Sequence, residues 1–392
     1  MSFLRAFRKE GFPPRPGSLK VGTFDLLFGK GPDNLLARLY YPTPAETAEA
    51  KAAAWLPDRR YTAGYANYMK MNQAIVGRLF WFIGGSEEAM CLWETPLLPN
   101  GTETDVGSHD DKLPVIIFSH GLAGMRTSYS ALCCTLASEG FLVAAIEHRD
   151  MTACATFFKT ECGEFQWLEY QHLKPGEKEW PLRNRQLPQR AAETSRLLDL
   201  LEKINAGEAI QNELNCSFDL KQLKNRLDLD KVAMAGHSFG GTTSIRSLLD
   251  ERFKCAVVYD AWMFPFDRDD PMEMKQPILF LNSETFHWPE NIRKIKSVIE
   301  KDPAHRKMFT IRGTGHQFCT DFGFVFRTFL ARRLKFIGEL SHAKALELNH
   351  CFTSAFLQTY LECKQDAFDS LLEGEVAKNK SVMIGSPVKE TD

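Results

Sequence analysis

Short apolar segments alternate with helical segments along most of this chain, and the alternation restricts the folds available to it. Several segments have the apolar, often β-branched composition of strands that are buried on both faces. The segments between them have the length that a crossover between parallel strands requires. The pattern therefore predicts an α/β fold, with a mostly parallel central sheet and helices on both faces. The expected strands are residues 35–42, 113–121, 141–150, 230–236, 254–260, 276–284 and 307–316, and the expected helices are residues 129–140, 187–207, 240–251 and 340–361.

No linker rich in proline or glycine interrupts the core strands, so we expect one domain. It spans residues 21–374, between an N-terminal segment of residues 1–20 and a flexible C-terminal tail of residues 375–392. Two longer connections, residues 151–188 and 206–229, are expected to decorate the ligand-binding face of the sheet.

Charge and hydropathy exclude several functional classes. The formal net charge is −2, without long blocks of one sign, so no nucleic-acid partner is expected. No run of about 18 apolar residues predicts a membrane-spanning helix. The first residues lack the apolar core of a secretory signal, and Ser2 stands where N-myristoylation needs glycine. We expect a cytoplasmic protein, with peripheral membrane contact as an option and a secreted form left open.

The cysteines and the missing cofactor motifs narrow the chemistry. The chain has ten cysteines but no C-x-x-C pair and no paired Cys/His spacing, so we expect free, buried thiols and no metal site. It has no phosphate-binding P-loop, no EF-hand loop and no dinucleotide fingerprint. No cofactor is therefore expected.

The segment KVAMAGHSFGGTT, residues 231–243, joins an apolar strand to a helix through a G-x-S-x-G motif centred on Ser238. In this context the motif is typical of the strained turn that lifts a serine hydroxyl above the sheet of an α/β-hydrolase. A serine hydroxyl is a weak nucleophile at its own pKa, so it needs a base, and the base needs an orienting acid. The motif therefore predicts a Ser–His–acid triad.

Two carboxylates could serve as the acid of this triad. Asp260 ends the strand that follows Ser238, and the apolar loop AWMFP comes next. Glu284 ends the following strand, which carries the acid in many hydrolases of this fold. Position alone leaves both open. The base is predicted at His316, because this histidine follows a late strand and gives the chain order serine, acid, histidine that the fold requires.

An oxyanion formed at this serine would need two backbone N–H donors. The residue after the nucleophile, Phe239, is one candidate, and Leu122 in the loop FSHGLAG after an earlier strand is the other. Three histidines in the motifs, His120, His148 and His237, are expected to pack and hydrogen-bond beside the site rather than to carry protons.

Several motifs together resemble the platelet-activating factor acetylhydrolases, which are calcium-independent lipid hydrolases. The resemblance extends over most of the chain, from about residue 21 to residue 374. Its most specific part is the combination of GHSFGG with DAWMFP, which is not general among hydrolases. The motifs are FSHGL at residues 118–122, EHRD at 147–150, GHSFGG at 236–241, DAWMFP at 260–265 and IRGTGHQ at 311–317.

The resemblance implies an α/β-hydrolase that removes short or oxidised sn-2 acyl groups from phospholipids, including the acetyl group of platelet-activating factor. It assigns the nucleophile to Ser238, the base to His316 and the acid to Asp260, which selects between the two candidate acids. The oxyanion donors that it implies are Leu122 and Phe239. Phospholipid is then the substrate, and no cofactor takes part.

One position departs from the family pattern, since Met151 stands where the family usually has a further arginine. Two other functions are alternatives. The chain could be a general carboxylesterase or lipase with another acyl preference, or a non-catalytic binding protein on the hydrolase fold.

Two aromatic segments are candidates for contact with a lipid surface. The first runs from Met71 to Gly85 and has a broad apolar face interrupted by Arg78, and the second runs from Phe324 to Phe336 with aromatic and basic residues. The resemblance implies a lipid-touching helix in the first segment. A helix that faces the core explains its composition equally well.

Overall fold

The computed structural model of the protein describes residues 11–13, 17–44, 50–104, 107–108, 112–266, 273–326, 338–364, 366–376 and 379–388. The strands are β1 (Lys20–Phe28), β2 (Leu35–Thr43), β3 (Ala52–Ala54), β4 (Glu88–Trp93), β5 (Glu103–Thr104), β6 (Gly107–Ser108), β7 (Leu113–Ser119), β8 (Leu142–Glu147), β9 (Ala155–Lys159), β10 (Phe165–Glu169), β11 (Leu227–His237), β12 (Phe253–Tyr259), β13 (Ile278–Ser283), β14 (Arg306–Ile311) and β15 (Val382–Ile384). The α-helices are α1 (Arg59–Tyr68), α2 (Gln73–Gly84), α3 (Ser130–Ala137), α4 (Glu179–Ala206), α5 (Phe239–Ser247), α6 (Pro289–Ile299), α7 (Phe322–Val325), α8 (His342–Tyr360) and α9 (Ala367–Leu371).

Within the described part of the chain, eleven strands form one sheet in the order β15-β14-β13-β12-β11-β7-β8-β2-β1-β4-β3. The six central strands from β14 to β8 are all parallel. Strand β2 pairs antiparallel with both β8 and β1, and β15 pairs antiparallel with β14. Because the central strands are parallel, their carboxyl ends lie at the same edge of the sheet, where ligands bind in open α/β sheets.

The pleat of β7 shows how the two faces of the sheet are covered. Val115 and Ile117 belong to one apolar cluster, together with residues of α4, α5 and α6. Ile116 and Phe118 point to the opposite face and belong to a second cluster with residues of α3 and α8. The prediction of a mostly parallel sheet with helices on both faces is therefore confirmed.

Helix α4 begins earlier than the sequence pattern indicates, at Glu179 rather than at residue 187, and it continues through Pro188. Proline is favoured in the first turn of a helix, which is why the pattern places the start there. In the structure, Arg183 in the additional turns donates hydrogen bonds to Glu179 and to the Tyr170 hydroxyl, so local contacts offset the bond that proline removes. The helix ends at Gly207, which has a φ of 83°.

The C-terminal boundary at residue 374 needs correction. The segment expected as a flexible tail supplies β15, which pairs with β14 through Ile311 opposite Val382 and Phe309 opposite Ile384. The sequence gives no signal for this strand because only three residues take part. The strand is stabilised by its antiparallel pairing with the edge strand β14. At the other end, β1 begins at Lys20, one residue before the expected domain start.

Of the two longer connections, the first lies beside the ligand-binding face, where backbone hydrogen bonds of 2.7 and 3.2 Å join residues 152–154 to residues 123–124 of the loop after β7, and the second does not line the cavity there. The first contains the hairpin of β9 and β10 and the start of α4. The second packs along β1, where the Asn212 side chain hydrogen-bonds to the backbone of Asp25 and Leu27. Phe218 in the same segment stacks on Phe24, with ring centroids 4.3 Å apart.

The expectation of free, buried thiols is met in part. All ten cysteines are free, and six of them are buried, whereas Cys162 and Cys363 are exposed. Among the described residues, no helix combines the length and the apolar character that a membrane crossing needs.

A buried cluster of charges, the Asp25 cluster, joins β1, β2 and β8 to the loop after β7 and to α1. Arg38 Nε donates to Asp25 Oδ1 at 2.7 Å, and Arg126 Nη2 donates to Asp25 Oδ2 at 2.7 Å. Arg126 Nη1 donates to Glu147 Oε2 at 2.8 Å, and the Tyr61 hydroxyl also meets this carboxylate. Burial alone would raise the pKa of Asp25, but Arg126 and Arg38 hold it well below its usual range.

We expect Arg126→Met to destabilise the protein by about 3–5 kcal/mol, because it removes the arginine that pairs with the buried Glu147 and leaves Arg38 alone to pair with Asp25. Urea unfolding followed by circular dichroism measures this change. The control is Arg60→Met, which removes a surface ion pair with Asp58 and should cost about 1 kcal/mol or less. A similar loss of unfolding free energy in the two variants would contradict a stabilising role of the Asp25 cluster.

Candidate active site

Ser238 lies in a strained turn between β11 and α5, at the carboxyl edge of the sheet. Its backbone has a φ of 58° and a ψ of −117°, a region that residues with a side chain rarely occupy. The glycines of the motif allow the strand and the helix to approach this closely. A Cβ atom on Gly240 would lie 2.0 Å from the Ser119 carbonyl oxygen, and one on Gly236 would lie 2.3 Å from the Gly240 oxygen.

The predicted triad residues lie within hydrogen-bond distance of one another. His316 Nε2 is 3.1 Å from Ser238 Oγ, and His316 Nδ1 is 3.0 Å from Asp260 Oδ2. A carboxylate can only accept, so Nδ1 carries the proton and Nε2 is left to accept the serine proton. The structure therefore brings Ser238, His316 and Asp260 together in the geometry of an activated serine.

Asp260 is fully buried and follows β12 with a φ of 46°. Besides His316, its carboxylate accepts hydrogen bonds from the Ser283 backbone N–H at 2.5 Å, the Ser283 hydroxyl at 2.6 Å and His287 Nε2 at 2.9 Å. Burial raises the pKa of Asp260, but the hydrogen bonds from His287 and His316 hold it well below its usual range. The other candidate acid, Glu284, accepts from the Gly313 backbone at 2.7 Å instead.

Both predicted oxyanion donors are placed beside Ser238. Phe239 is the first residue of α5, so its N–H has no acceptor within that helix, and Leu122 lies in the loop after β7. Neither N–H has a hydrogen-bond acceptor among the described residues. Gly121 brings the loop close, since a Cβ atom there would lie 3.1 Å from the Ser238 Cβ.

A chain of hydrogen bonds connects the loop after β7 to the backbone of His316. The Gly121 N–H donates to the Tyr129 hydroxyl at 3.0 Å, and this hydroxyl lies 2.9 Å from His237 Nδ1. His237 Nε2 lies 2.8 Å from the His316 carbonyl oxygen, which can only accept. His237 is therefore protonated on Nε2 and accepts from Tyr129. Burial and the nearby His316 lower the pKa of His237 to about 3.

His120 and His148, the other two histidines of the sequence motifs, are buried beneath the loop after β7. His120 Nδ1 donates to the Gly121 carbonyl at 2.7 Å, and its Nε2 accepts from the His148 backbone at 3.2 Å. His148 Nδ1 lies 2.6 Å from Glu193 Oε2. Burial, with Arg190 nearby, lowers the pKa of both histidines. Neither ring lines the cavity at Ser238.

A cavity of about 360 Å³ opens at Ser238, and its walls are mainly aromatic and aliphatic. Helix α1 contributes Thr62, Tyr65 and Tyr68 to the wall and α2 contributes Phe80, although the sequence did not indicate that these helices would lie there. No Asp, Glu, Lys or Arg is among the described residues that line it, and Met151 is not among them either. The cavity therefore suits an apolar ester substituent. Its aromatic lining includes Trp55, Tyr65, Phe80, Phe286, Phe322 and Phe326.

The ring of Phe286 stacks on the imidazole of His316, with centroids 3.5 Å apart and planes inclined by 13°. His237 packs against the same imidazole, with centroids 4.4 Å apart. The two rings restrict the orientation of His316. The sequence gives no sign of this contact, because Phe286 lies before α6 and His316 lies on the loop after β14. Only the folded chain brings the two rings together.

The side chains of His237, Asp260 and His316 form the one cluster in the described part of the chain whose ligand atoms are close enough for a metal, within 4.8 Å of one another. Their nitrogen and oxygen atoms are already joined by the hydrogen bonds described above. The positions of these three side chains are therefore explained by the hydrogen bonds around Ser238.

The sequence of this chain matches a known protein family over most of its length. The family described as "Platelet-activating factor acetylhydrolase, isoform II" matches residues 4–378. A platelet-activating factor acetylhydrolase of Canis lupus familiaris is 38% identical over 395 residues, which cover 99% of this chain and 85% of the relative. The enzyme of the same name from Gallus gallus is 38% identical over 378 residues, covering 92% of this chain and 87% of the relative.

A solved structure supports the fold independently. The ferulic acid esterase from Streptomyces cinnamoneus superimposes with a TM-score of 0.67 at 17% sequence identity, covering 96% of this chain and 99% of the esterase. At this identity the likeness concerns the fold alone, which is the α/β-hydrolase fold. From the match along nearly its whole length, the chain belongs to the platelet-activating factor acetylhydrolase family.

Proposed function

We propose that this protein hydrolyses short or oxidised sn-2 acyl esters of glycerophospholipids, including the acetyl ester of platelet-activating factor, through an acyl-enzyme on Ser238. The observation that carries the proposal is the hydrogen-bonded series Ser238–His316–Asp260 at the end of an apolar cavity. Membership of the family supports the substrate class, because the relatives are named for the acetyl ester.

In the first half of the reaction, Ser238 Oγ attacks the sn-2 carbonyl carbon while His316 Nε2 takes the serine proton. The carbonyl oxygen becomes an oxyanion and accepts hydrogen bonds from the N–H groups of Leu122 and Phe239. Asp260 stabilises the imidazolium of His316 and keeps its own charge. The ester C–O bond then breaks, and the imidazolium gives its proton to the departing lysophospholipid oxygen.

In the second half, water attacks the acyl carbon of the Ser238 ester, and His316 takes a proton from this water. The second oxyanion uses the same two N–H groups. Its collapse releases the carboxylic acid and returns the proton from His316 to Ser238. The steps balance with water as the only co-reactant, and no step is assigned to calcium.

Ser238→Ala should lower acetate release from platelet-activating factor by about 10⁴- to 10⁶-fold, because it removes the nucleophile. The same variant should lose labelling by a fluorophosphonate probe, which reacts with activated serines. Acetate release is measured with a radiolabelled acetyl group, with and without a calcium chelator, and the chelator should have no effect.

The control is Ser297→Ala on the exposed side of α6, which should leave both activity and labelling unchanged. Acetate release that survives Ser238→Ala, or that the chelator abolishes, would contradict the mechanism. Absence of labelling in the parent protein would instead favour a non-catalytic binding function.

A series of substrates tests the acyl preference. We expect kcat/KM to fall as the sn-2 chain is lengthened from acetyl to a long saturated acyl group, since the cavity at Ser238 holds only about 360 Å³. The measurement is hydrolysis of monomeric substrates with one headgroup and graded sn-2 chains. Equal rates along the series would favour a general carboxylesterase or lipase.

We further propose that α2 contacts the lipid surface from which the substrate is drawn. One side of the helix exposes Ile75, Leu79 and Phe82, whose side chains are 69%, 52% and 86% exposed. Their spacing puts them on one face. On the opposite side, Phe80 lines the cavity and packs edge-on against Phe326 at 5.7 Å. A lipid surface on the exposed face would therefore lie one helix away from the cavity.

The second candidate segment, from Phe324 to Phe336, gives a different result. Phe324 and Phe326 are only 1% and 5% exposed and pack inside the protein, so they offer no surface to lipid. Residues 327–336 lie outside the described residues. The proposal therefore concerns α2 alone.

Replacing Ile75, Leu79 and Phe82 together by glutamine should weaken binding to phosphatidylcholine vesicles by about tenfold or more, because burial of apolar side chains drives interfacial binding. Vesicle sedimentation measures the binding. Hydrolysis of a water-soluble acetyl ester should be unchanged. Leu249→Gln is the control, since Leu249 is also exposed but lies beyond α5. Unchanged vesicle binding in the triple variant would contradict the contact.

A further inference from the structure

Asp260 is held by two histidines, and the proposed mechanism uses only one of them. His316 Nδ1 meets Asp260 Oδ2 at 3.0 Å, and His287 Nε2 meets Asp260 Oδ1 at 2.9 Å. The two imidazoles therefore approach opposite oxygens of the same carboxylate. The His287 side chain is only 2% exposed, whereas that of His316 is 24% exposed and faces the cavity.

The hydrogen bonds around Asn291 determine which nitrogen of His287 carries the proton. The Met263 backbone N–H donates to one side-chain atom of Asn291 at 2.8 Å, so that atom is the amide oxygen. The amide nitrogen then donates to the Ala261 carbonyl at 2.9 Å and to His287 Nδ1 at 2.9 Å. His287 Nδ1 is an acceptor, so the proton lies on Nε2 and points at Asp260.

The same arrangement keeps His287 neutral. A second proton on Nδ1 would face the N–H₂ group of Asn291, and two donors would then oppose each other in a buried site. Asp260 is the titratable group that hydrogen-bonds to His287, His316 meets the same carboxylate from the loop after β14, and His237 packs behind His316. A neutral donor stabilises the carboxylate without adding a positive charge that would compete with the imidazolium of His316.

We propose that His287 is a positioning residue, a neutral histidine set by Asn291 that holds the Asp260 carboxylate in the orientation His316 needs. This inference rests on the proposed serine mechanism. The adjacent Phe286 stacks on His316, so one short segment before α6 fixes both the acid and the base of the triad. His287 acts through Asp260 and does not line the cavity that receives the substrate.

His287→Ala should lower kcat by about 10- to 100-fold, the effect of losing one hydrogen bond to a buried charge. KM should change little, because the cavity wall is untouched. His287→Gln should recover most of the lost kcat, since its amide N–H can donate to Asp260 and its amide oxygen can accept from Asn291. The assay is hydrolysis of a water-soluble acetyl ester, with unfolding temperatures to show that both variants are folded.

Two readouts separate positioning from a merely structural role. In His287→Ala, Asp260 has one donor fewer and attracts the proton of His316 more strongly, so the acid limb of the kcat/KM profile should move to higher pH. The low-field proton resonance of the His316 Nδ1–H group should shift as well. The control is His305→Ala, in which an exposed histidine loses its contact with Asp302, and no readout should change.

Failure of the inference differs from failure of the proposed function. If the parent protein neither hydrolyses acetyl esters nor reacts with a fluorophosphonate, the serine mechanism is wrong. If the parent is active but folded His287→Ala keeps its kcat, its pH profile and its proton resonance, His287 does not position Asp260. An equal loss of kcat in the glutamine variant would also overturn the role given to the Nε2 donor.

Discussion

Asp260 carries a charge that is fully removed from water, and the carboxyl edge of the sheet supplies four hydrogen-bond donors to it. A buried carboxylate without donors would take up a proton or destabilise the fold. The left-handed backbone of Asp260, the turn after β13 and the segment before α6 together surround the group. In this way the physical requirement to compensate one charge also places His316 within hydrogen-bond distance of Ser238.

His316 is restricted from several directions at once. Phe286 and His237 hold its ring, Asp260 holds its Nδ1, and its carbonyl oxygen accepts from His237. Through Tyr129, the same chain of hydrogen bonds reaches the Gly121 N–H beside the oxyanion donors. The proposed base and the loop with the proposed oxyanion donors therefore belong to one buried network, which favours a fixed arrangement before substrate arrives.

Features that depend on a local pattern in or after an apolar strand could be predicted from the sequence. They are the central strands, the elbow at Ser238 and the positions of Leu122, Phe239 and His316. The choice between Asp260 and Glu284 could not be predicted in this way, since both follow strands, and it came from the resemblance to a family. The walls formed by α1 and α2 were missed because their cavity-lining residues become neighbours of Ser238 only through tertiary packing. His287 has no local signal either, as its partners Asp260 and Asn291 are joined to it only in the folded chain.

The last strand of the sheet has a consequence for the assembly state of the protein. Strand β15 is short, and it covers part of the edge of β14 with antiparallel hydrogen bonds. A sheet edge that loses its cover presents free N–H and C=O groups and is a template for pairing with another chain. Proteolytic removal of the last residues, or a bulky fusion attached to them, would therefore act first on self-association and only afterwards on catalysis.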